Sequence, residues 1–260
     1  MRYFVFGFLI GLANLIPGVS GSTVAVLTGI YERLVRVVST LFSLKVTRED
    51  LFFLLFVVVG AVAAIFAGSN GMKILLQHHQ FVTYAVFFGL VMGSLPSLFR
   101  RLKRVLTTPV FLGMALVVIP QLFNIELSIG RSPLLLGFGG AVAASAMVLP
   151  GLSGSLILLV LGFYDVVITA ISAVNLQVLV PFGIGVVVGI VLFVKLIDFA
   201  LRRFKDWTDN FIVGLVVGSL YVVYPFGLDT EGNVFLGLTL IVIGALVTAL
   251  IDRYGTNRRT

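Results

Sequence analysis

The chain alternates long apolar runs with short polar segments, and the alternation follows one plan twice. Unbroken apolar runs lie near residues 51–67, 81–98 and 109–124, and again near 179–199, 211–226 and 234–251. A helix rises about 1.5 Å per residue, so most of these runs reach across a hydrocarbon core of about 30 Å, some only with their flanking residues. The pattern predicts an all-α integral membrane protein.

Each half of the chain opens on an apolar segment that is broken by the motif P-G-x-S-G-S. Residues 16–39 align with residues 149–172 at eight identical positions of 24, and five of those positions form the motif. Three further pairs match in the same order: 57–60 with 186–189, 87–95 with 212–220, and 110–119 with 234–243. The sequence therefore predicts one membrane domain over 1–260, built from repeat one at 1–130 and repeat two at 131–260.

Composition supports this class and excludes others. Hydrophobic residues make up 59% of the chain and charged residues 11%, and there is no cysteine. An apolar excess of this size needs lipid to cover it. The net charge of +7 fits basic loops on the cytoplasmic side, so we expect no nucleic-acid partner. We also expect no metal site, because the histidine pair at 78 and 79 lies in a polar stretch.

The distribution of basic residues predicts the topology. If each broken segment enters the membrane and returns as a hairpin, each repeat crosses three times, and the repeats are inverted with both termini cytoplasmic. Sixteen of the 18 basic residues then lie inside, and only Lys73 and Arg131 lie outside. A segment that crosses once would place the basic loops at 45–48 and 202–205 on opposite sides. Charge does not separate a re-entrant hairpin from two short spans; the short arm from Arg2 to Ile16 favours the hairpin.

The two motifs form the candidate binding site, and their tips are expected to meet near the midplane. Proline ends the incoming arm, glycine permits tight turns, and serine is expected to cap an outgoing helix whose free N–H groups would bind an anion. Asn14 lies one turn before the first motif and could line the same cavity. The motif residues in this prediction are Pro17, Gly18, Ser20, Gly21, Ser22, Thr23, Pro150, Gly151, Ser153, Gly154 and Ser155.

Three charged residues lie about ten positions beyond the tips. Glu32 and Asp165 align between the repeats and would face opposite sides of the membrane, and Arg33 adjoins Glu32. They could hold a coupling proton or sodium ion, or gate each mouth, or anchor the chain at the interface. No other cofactor is expected.

The double motif resembles a known family. P-G-V-S-G-S-T followed by G-I-Y-E-R-L, and P-G-L-S-G-S followed by G-F-Y-D, resemble the polyprenyl-phosphate translocases of the PopT type. The resemblance implies a plasma-membrane flippase that returns undecaprenyl phosphate, or a similar lipid, from the outer to the cytoplasmic leaflet for reuse in cell-envelope glycan synthesis. It places phosphate handling at 17–23 and 150–155. Many relatives have Asp at position 14 and Gly at position 22, where this chain has Asn14 and Ser22.

Elementary physics fits such a substrate, and two alternatives remain open. Burial of a prenyl tail is worth about 0.8 kcal/mol per CH₂, so the tail stays in the bilayer and only the anionic head needs shelter. A small-anion channel or transporter would also use helix N-termini. An undecaprenyl-pyrophosphate phosphatase would carry arginine in the loop, where this chain has Gly21 and Gly154. The expected partners are the lipid substrate and membrane lipids.

Overall fold

The computed structural model describes residues 1–15, 20–41, 46–123, 132–172, 175–227 and 233–256. These residues form α-helices joined by short connections and one 3₁₀ turn, Pro225–Gly227. In repeat one the helices are α1 (Arg2–Asn14), α2 (Gly21–Leu27), α3 (Tyr31–Leu41), α4 (Arg48–His78), α5 (Gln80–Arg101) and α6 (Thr107–Leu122). In repeat two they are α7 (Pro133–Val148), α8 (Gly154–Val160), α9 (Tyr164–Ser172), α10 (Leu176–Arg203), α11 (Lys205–Val222) and α12 (Val234–Thr256).

The six apolar runs are helices, as predicted, although α4 continues well past residue 67 to His78. Within the described residues, three helical stretches are long and apolar enough to cross a membrane: Arg48–Gly68 within α4, α5 and α10. Shorter apolar helices lie at Arg2–Asn14, Thr107–Leu122, Pro133–Val148 and Val234–Ala249. The fold is that of a helical membrane protein.

The outward faces of the helices are apolar. Phe66, Leu134 and Phe235 are each at least 80% exposed, and they lie on three different helices. Large apolar side chains at this exposure are costly in water and favourable in hydrocarbon. Lipid is therefore the environment that these surfaces fit.

Glycine brings four pairs of helices into backbone contact: α1 with α4, α7 with α10, α5 with α12, and α6 with α11. A Cβ on Gly7 would meet Val57, and one on Gly11 would meet Ala61 four residues further along α4. The contact advances in the same direction on both helices, so α1 and α4 are parallel. A G-x-x-x-G spacing permits such close crossings in membranes.

The pair α7 and α10 repeats this arrangement, with the closest glycines now on α10. A Cβ on Gly185 would meet Gly137, and one on Gly189 would meet Ala141. Gly189 aligns with Gly60 of α4, whose Cβ would meet the backbone of Phe4 on α1. Repeat-related glycines thus make equivalent contacts.

The other two pairs join the repeats to each other. On α5, Gly89 and Gly93 face Ile241 and Ala245 of α12; on α11, Gly214 and Gly218 face Val110 and Met114 of α6. Both pairs are parallel by the same criterion. The Thr248 hydroxyl on α12 also donates to the Leu90 carbonyl on α5 at 3.0 Å. Each repeat therefore supplies the packing partner of a helix in the other.

This packing also corrects one register in the sequence alignment. Gly113 contacts Phe211 and Leu215, and Gly244 makes the same contacts with Val86 and Leu90. Matching the letters pairs Gly113 with residue 237, whereas the contacts pair it with Gly244. The difference is seven residues, about two helical turns, which keeps the same face of the helix inward.

Asn210 on α11 holds the loop between α5 and α6 in place. This residue was not predicted from the sequence. Its side chain is fully buried. The amide oxygen accepts from the Leu106 N–H at 2.8 Å, and the amide nitrogen donates to the Arg104 carbonyl at 2.9 Å and the Asp206 carbonyl at 2.7 Å. One side chain thus satisfies three backbone groups.

We expect Asn210→Leu to lower the free energy of unfolding by about 2–4 kcal/mol, because buried backbone groups would lose their partners. The measurement is thermal or denaturant unfolding of the purified protein in detergent. The control is Asn175→Ala, which removes an exposed N-cap bond to the Gln177 N–H and should cost only about 1 kcal/mol. Equal losses for the two variants would contradict this role for Asn210.

Candidate functional site

The structure brings the two chain breaks into contact. Helix α1 ends at Asn14 and α2 begins at Gly21, whereas α7 ends at Val148 and α8 begins at Gly154. Pro17 and Gly18 of the first motif lie outside the described residues. The rest of the first motif packs against the end of α7 and the residues that follow it.

Three hydrogen bonds cross between the repeats at this point. The Ser22 hydroxyl donates to the Leu149 carbonyl at 2.9 Å, and the Tyr31 hydroxyl donates to the Val148 carbonyl at 3.1 Å. The Gly151 N–H donates to the Thr23 hydroxyl oxygen at 2.7 Å. A helix break within a membrane leaves backbone groups without partners, and here side chains of repeat one satisfy those of repeat two.

The predicted serine cap at the first tip is wrong. Ser20 occupies the N-cap position of α2 but makes no side-chain cap hydrogen bond. Its hydroxyl lies 2.6 Å from that of Ser22 instead. The cap bond comes from Asn14, whose Oδ1 accepts from the Gly21 N–H at 2.8 Å. The Gly21 N–H at the start of α2 is therefore engaged by a side chain, not free as predicted for the outgoing helix.

The second tip is tighter and more apolar. Pro150 is fully buried, and Gly151 has φ of +83° with its Cα facing the Leu215 carbonyl, where a side chain would clash. Met147, which aligns with Asn14, lies where a side chain on Gly154 would be. Ser153 is half-buried and follows the turn. The side chain of Ser155 lies outside the part of the chain that the structure describes.

A second break divides the outgoing arm of each repeat. Helices α2 and α8 have only seven residues each, and they end before Gly29 (φ +73°) and Gly162 (φ +70°). These two glycines are identical in the repeat alignment. Left-handed backbone favours glycine, so the identity was the signal of a turn. The single outgoing helix predicted from the sequence is thus two short helices.

Glu32 and Arg33 lie in the first turn of α3, just past this second break. The Arg33 guanidinium contacts Asp50 at 3.2 Å and the Tyr3 hydroxyl at 2.7 Å, and it stacks over the Phe53 ring at 4.4 Å. These contacts tie α3 to α1 and α4. The side chain of Asp165 is not among those that the structure describes.

Glu32 takes part in a charged cluster that the sequence predictions did not include. It accepts from the Lys205 ammonium at 2.8 Å, and Lys205 also contacts Asp209 at 3.3 Å. The cluster borders a cavity of about 410 Å³ between α2, α3, α5 and α11. The cavity is lined by Val26, Gly29, Tyr31, Glu32, Arg33, Arg36, Leu98, Arg101, Leu102, Lys205, Asp209, Ile212 and Val213. Its lining combines four cations, two carboxylates and an apolar wall.

The acidic neighbours of Lys205 keep its side chain charged. Lys205 lies before the apolar run that begins at Phe211. Burial lowers the pKa of the Lys205 ammonium, but its bonds and charge interactions with Glu32 and Asp209 outweigh burial, and the net shift is upward. Burial raises the pKa of the Asp209 carboxyl, opposed by Lys205 and reinforced by Glu32. Lys205 therefore remains a cation at neutral pH.

Comparison with known proteins agrees with the resemblance seen in the motifs. A family model described as undecaprenyl phosphate translocase-like matches residues 10–234. A polyprenyl-phosphate transporter of Staphylococcus aureus is 35% identical over 268 residues, covering 95% of this chain and 94% of the relative. A polyprenyl-phosphate transporter of Vibrio cholerae is 29% identical over 234 residues, covering 85% of this chain and 76% of the relative.

No solved structure matches the chain. The matched relatives are transporters, and the phosphatase alternative is excluded with them. The match spans both breaks and helices α2 to α11, and it ends where α12 begins. The chain belongs to the undecaprenyl phosphate translocase-like family of membrane transport proteins.

Proposed function

We propose that this protein flips a polyprenyl phosphate, such as undecaprenyl phosphate, from the outer to the cytoplasmic leaflet of the plasma membrane, which returns the carrier lipid for reuse. The proposal rests above all on the contact between the two motif-bearing breaks, joined by the bonds from Ser22, Tyr31 and Gly151. Broken helices that meet at a repeat interface are the usual site of substrate in transporters. The relatives named polyprenyl-phosphate transporters supply the substrate class.

The directions of the helices support inverted repeats. Helix α5 runs parallel to α12, and α12 follows α11 in the chain, so successive spans place α12 antiparallel to α11. Helix α5 would then be antiparallel to its own repeat-related helix α11. Likewise, α1 is parallel to α4, which fits an α2–α3 arm that returns to the starting side as a re-entrant hairpin. In this arrangement sixteen of the 18 basic residues lie on one side of the membrane, which supports cytoplasmic termini.

The tips offer hydrogen-bond donors to a dehydrated phosphate head group. The N–H groups of Gly21 and Gly151 are held by oxygen atoms of Asn14 and Thr23. The Asn14 oxygen stands where a phosphate oxygen could accept the same bond, so a bound head could replace it without leaving the Gly21 N–H unsatisfied, while Thr23 keeps the Gly151 N–H. The Ser22 hydroxyl donates to the Leu149 carbonyl, so the Ser20 hydroxyl donates to Ser22. A bound phosphate would take over one or both of these donors.

A phosphate monoester carries a charge of about −1.5 to −2 near pH 7. Its transfer across the membrane therefore requires a positive ion to move with it or a negative ion to move the other way. We propose that a proton or a sodium ion moves with the head, with Glu32 and Asp165 as the residues to examine at the two mouths. The test is whether exchange in liposomes changes when a proton or a sodium gradient is imposed separately.

Leaflet exchange of a fluorescent polyprenyl phosphate in liposomes tests the function directly. We expect the wild-type protein to accelerate exchange, as followed by a membrane-impermeant quencher, and to leave a neutral polyprenol unaffected. The double variant Ser20→Ala, Ser22→Ala should lose at least about tenfold in rate through lost charge-assisted bonds. Ser145→Ala, which removes only a bond within α7, is the control and should keep the rate.

Two results would count against the proposal. Equal acceleration of phosphate and alcohol would point to nonspecific lipid scrambling. No acceleration, together with chloride or phosphate flux in the same vesicles, would instead support the small-anion transporter.

A further inference from the structure

The cavity between α2, α3, α5 and α11 has the chemistry of a binding site distinct from the tips. Its volume of about 410 Å³ lies within the usual range for ligand sites, about 300–1,000 Å³. Arg33, Arg36, Arg101 and Lys205 line one part of it. Asp50 pairs with Arg33, and Glu32 and Asp209 both pair with Lys205. Among the described residues, no carboxylate forms an ion pair with Arg36.

The remaining wall suits an apolar tail. Val26, Leu98, Leu102, Ile212 and Val213 line the same cavity and come from three helices. A ligand with an anionic head and a hydrocarbon tail would match both parts of the lining. Inorganic phosphate would match only the basic part.

The repeat-related region, where α9 and the end of α11 correspond to α3 and the end of α5, and the start of α5 to that of α11, does not reproduce this basic lining. In the repeat alignment, Val166 and Thr169 stand for Arg33 and Arg36, and Phe226 stands for Arg101. The ion pair of Lys205 with Asp209 is replaced by a hydrogen bond between Gln80 and Tyr84. Aromatic rings occupy that region instead, with Phe226 5.6 Å from Phe81 and 5.7 Å from Tyr224. The charge is therefore specific to one mouth and is not a by-product of the duplication.

Helix α2 connects this cavity to the tips. Ser20 and Gly21 at its start belong to the tip, and Val26 near its end lines the cavity. Seven helical residues span about 10 Å. Tyr31 lines the cavity and also donates to the Val148 carbonyl at the second break, so the two sites share a side chain.

We propose that this cavity is a second phosphate-monoester site, which receives the lipid head at the cytoplasmic mouth after it leaves the tips. In the empty site, Glu32 and Asp209 hold Lys205. The arriving phosphate competes with these carboxylates for the ammonium, and Arg36 adds a second cation. The proposal rests on the proposed function for its direction of travel, but the site itself is defined by binding.

The test is equilibrium binding to the full chain in nanodiscs of zwitterionic lipid. The probes are geranyl phosphate, inorganic phosphate and geraniol. Binding is measured by isothermal titration calorimetry, with protein-free nanodiscs as the blank, because the only tryptophan, Trp207, stacks on Phe211 and is not part of the cavity lining. We expect geranyl phosphate to bind, geraniol not to bind, and inorganic phosphate to bind more weakly than geranyl phosphate.

Two substitutions should change the affinity in opposite directions. Lys205→Gln should weaken geranyl phosphate binding at least about tenfold, because a charge-assisted bond is lost. Glu32→Gln should strengthen it by a few fold, because it removes an anion that competes for Lys205. A purely structural salt bridge would not give opposite signs. Arg203→Gln, on the same side but outside the cavity lining, should stay within about twofold.

Several results would overturn the proposal. Unchanged affinity in the double variant Arg36→Gln, Lys205→Gln would show that the probe binds elsewhere. Equal affinity for inorganic and geranyl phosphate would make free phosphate the ligand instead of the lipid head. Wild-type leaflet exchange in Lys205→Gln, despite lost binding, would remove the cavity from the transport path. Absence of exchange by the wild-type protein would refute the proposed function, whereas the binding data would still decide the site.

Discussion

Alanine at Gly189 is expected to lower the free energy of unfolding by about 2–3 kcal/mol. Alanine at Gly183, in the same helix, is expected to raise it slightly. A Cβ on Gly189 would meet the backbone of Ala141, whereas a Cβ on Gly183 would meet nothing within 4 Å. Backbone cannot rotate away as a side chain can, so the first variant must push α7 and α10 apart. The second only gains the helix propensity of alanine, worth about 0.5–1 kcal/mol.

Helix α4 offers an independent copy of this experiment. Gly60 faces the backbone of Phe4 on α1, and Gly71 in the same helix has open space around it. We expect Gly60→Ala to destabilise and Gly71→Ala to be neutral or better, as measured by unfolding of detergent-solubilised protein. If all four variants lost similar stability, the close helix crossings would not be the cause.

Valine at Thr23 is expected to reduce leaflet exchange at least about tenfold while the helices remain intact. Valine keeps the shape of threonine but cannot accept from the Gly151 N–H, which is 2.7 Å from the hydroxyl oxygen in a buried site. An unsatisfied buried donor costs about 1–3 kcal/mol. Because Gly151 is held at φ +83° against Leu215, the second tip would lose its position relative to the first.

Two further variants separate this bond from general effects of removing a hydroxyl. Thr23→Ser keeps the acceptor and should retain most of the exchange rate. Thr28→Val removes a hydroxyl that bonds only within its own arm, to the Val24 carbonyl at 2.8 Å, and should leave exchange unchanged. Circular dichroism checks that helix content is preserved. Similar losses in Thr23→Val and Thr28→Val would contradict an interrepeat role for Thr23.

The helices were predictable because the length of each apolar run identifies a membrane helix locally. Their repetition was predictable because the same motif and apolar runs recur in the same order. The four close pairs were not predicted, although Gly7 with Gly11, and Gly185 with Gly189, already showed G-x-x-x-G spacing in the sequence. Spacing identifies a face that accepts a close neighbour, but it does not name the neighbour. The pairing of α5 with α12 joins residues far apart in the chain, and composition does not encode it.

At the tips, the residues were predicted better than their contacts. Serine is a common N-cap, yet the amide of Asn14 takes that role at Gly21 and leaves Ser20 paired with Ser22. The sequence offers no rule for choosing between two acceptors that are both within reach. The phosphate-binding role of the motif residues remains a prediction.

The basic cavity was missed for a different reason. Topology alone explained Arg36, Arg101 and Lys205, so nothing in the sequence required a binding role for them. Glu32 and Lys205 lie on different repeats, and only the folded chain brings them to 2.8 Å. The absence of basic residues at the repeat-related positions was visible in the alignment, but its meaning depends on that contact.

The exchange of helices between repeats has a consequence for biosynthesis. Helix α5 is complete at Arg101, but its partner α12 begins only at Val234. Protein synthesis proceeds at about 5–20 residues per second. The glycine face of α5 is therefore in the membrane for roughly 7–27 s before α12 has been synthesised. During that interval the nascent chain can pair wrongly with other helices that present small residues. An insertase or a membrane chaperone that shields this face would therefore raise the yield of folded protein, and the first repeat expressed alone should associate with itself.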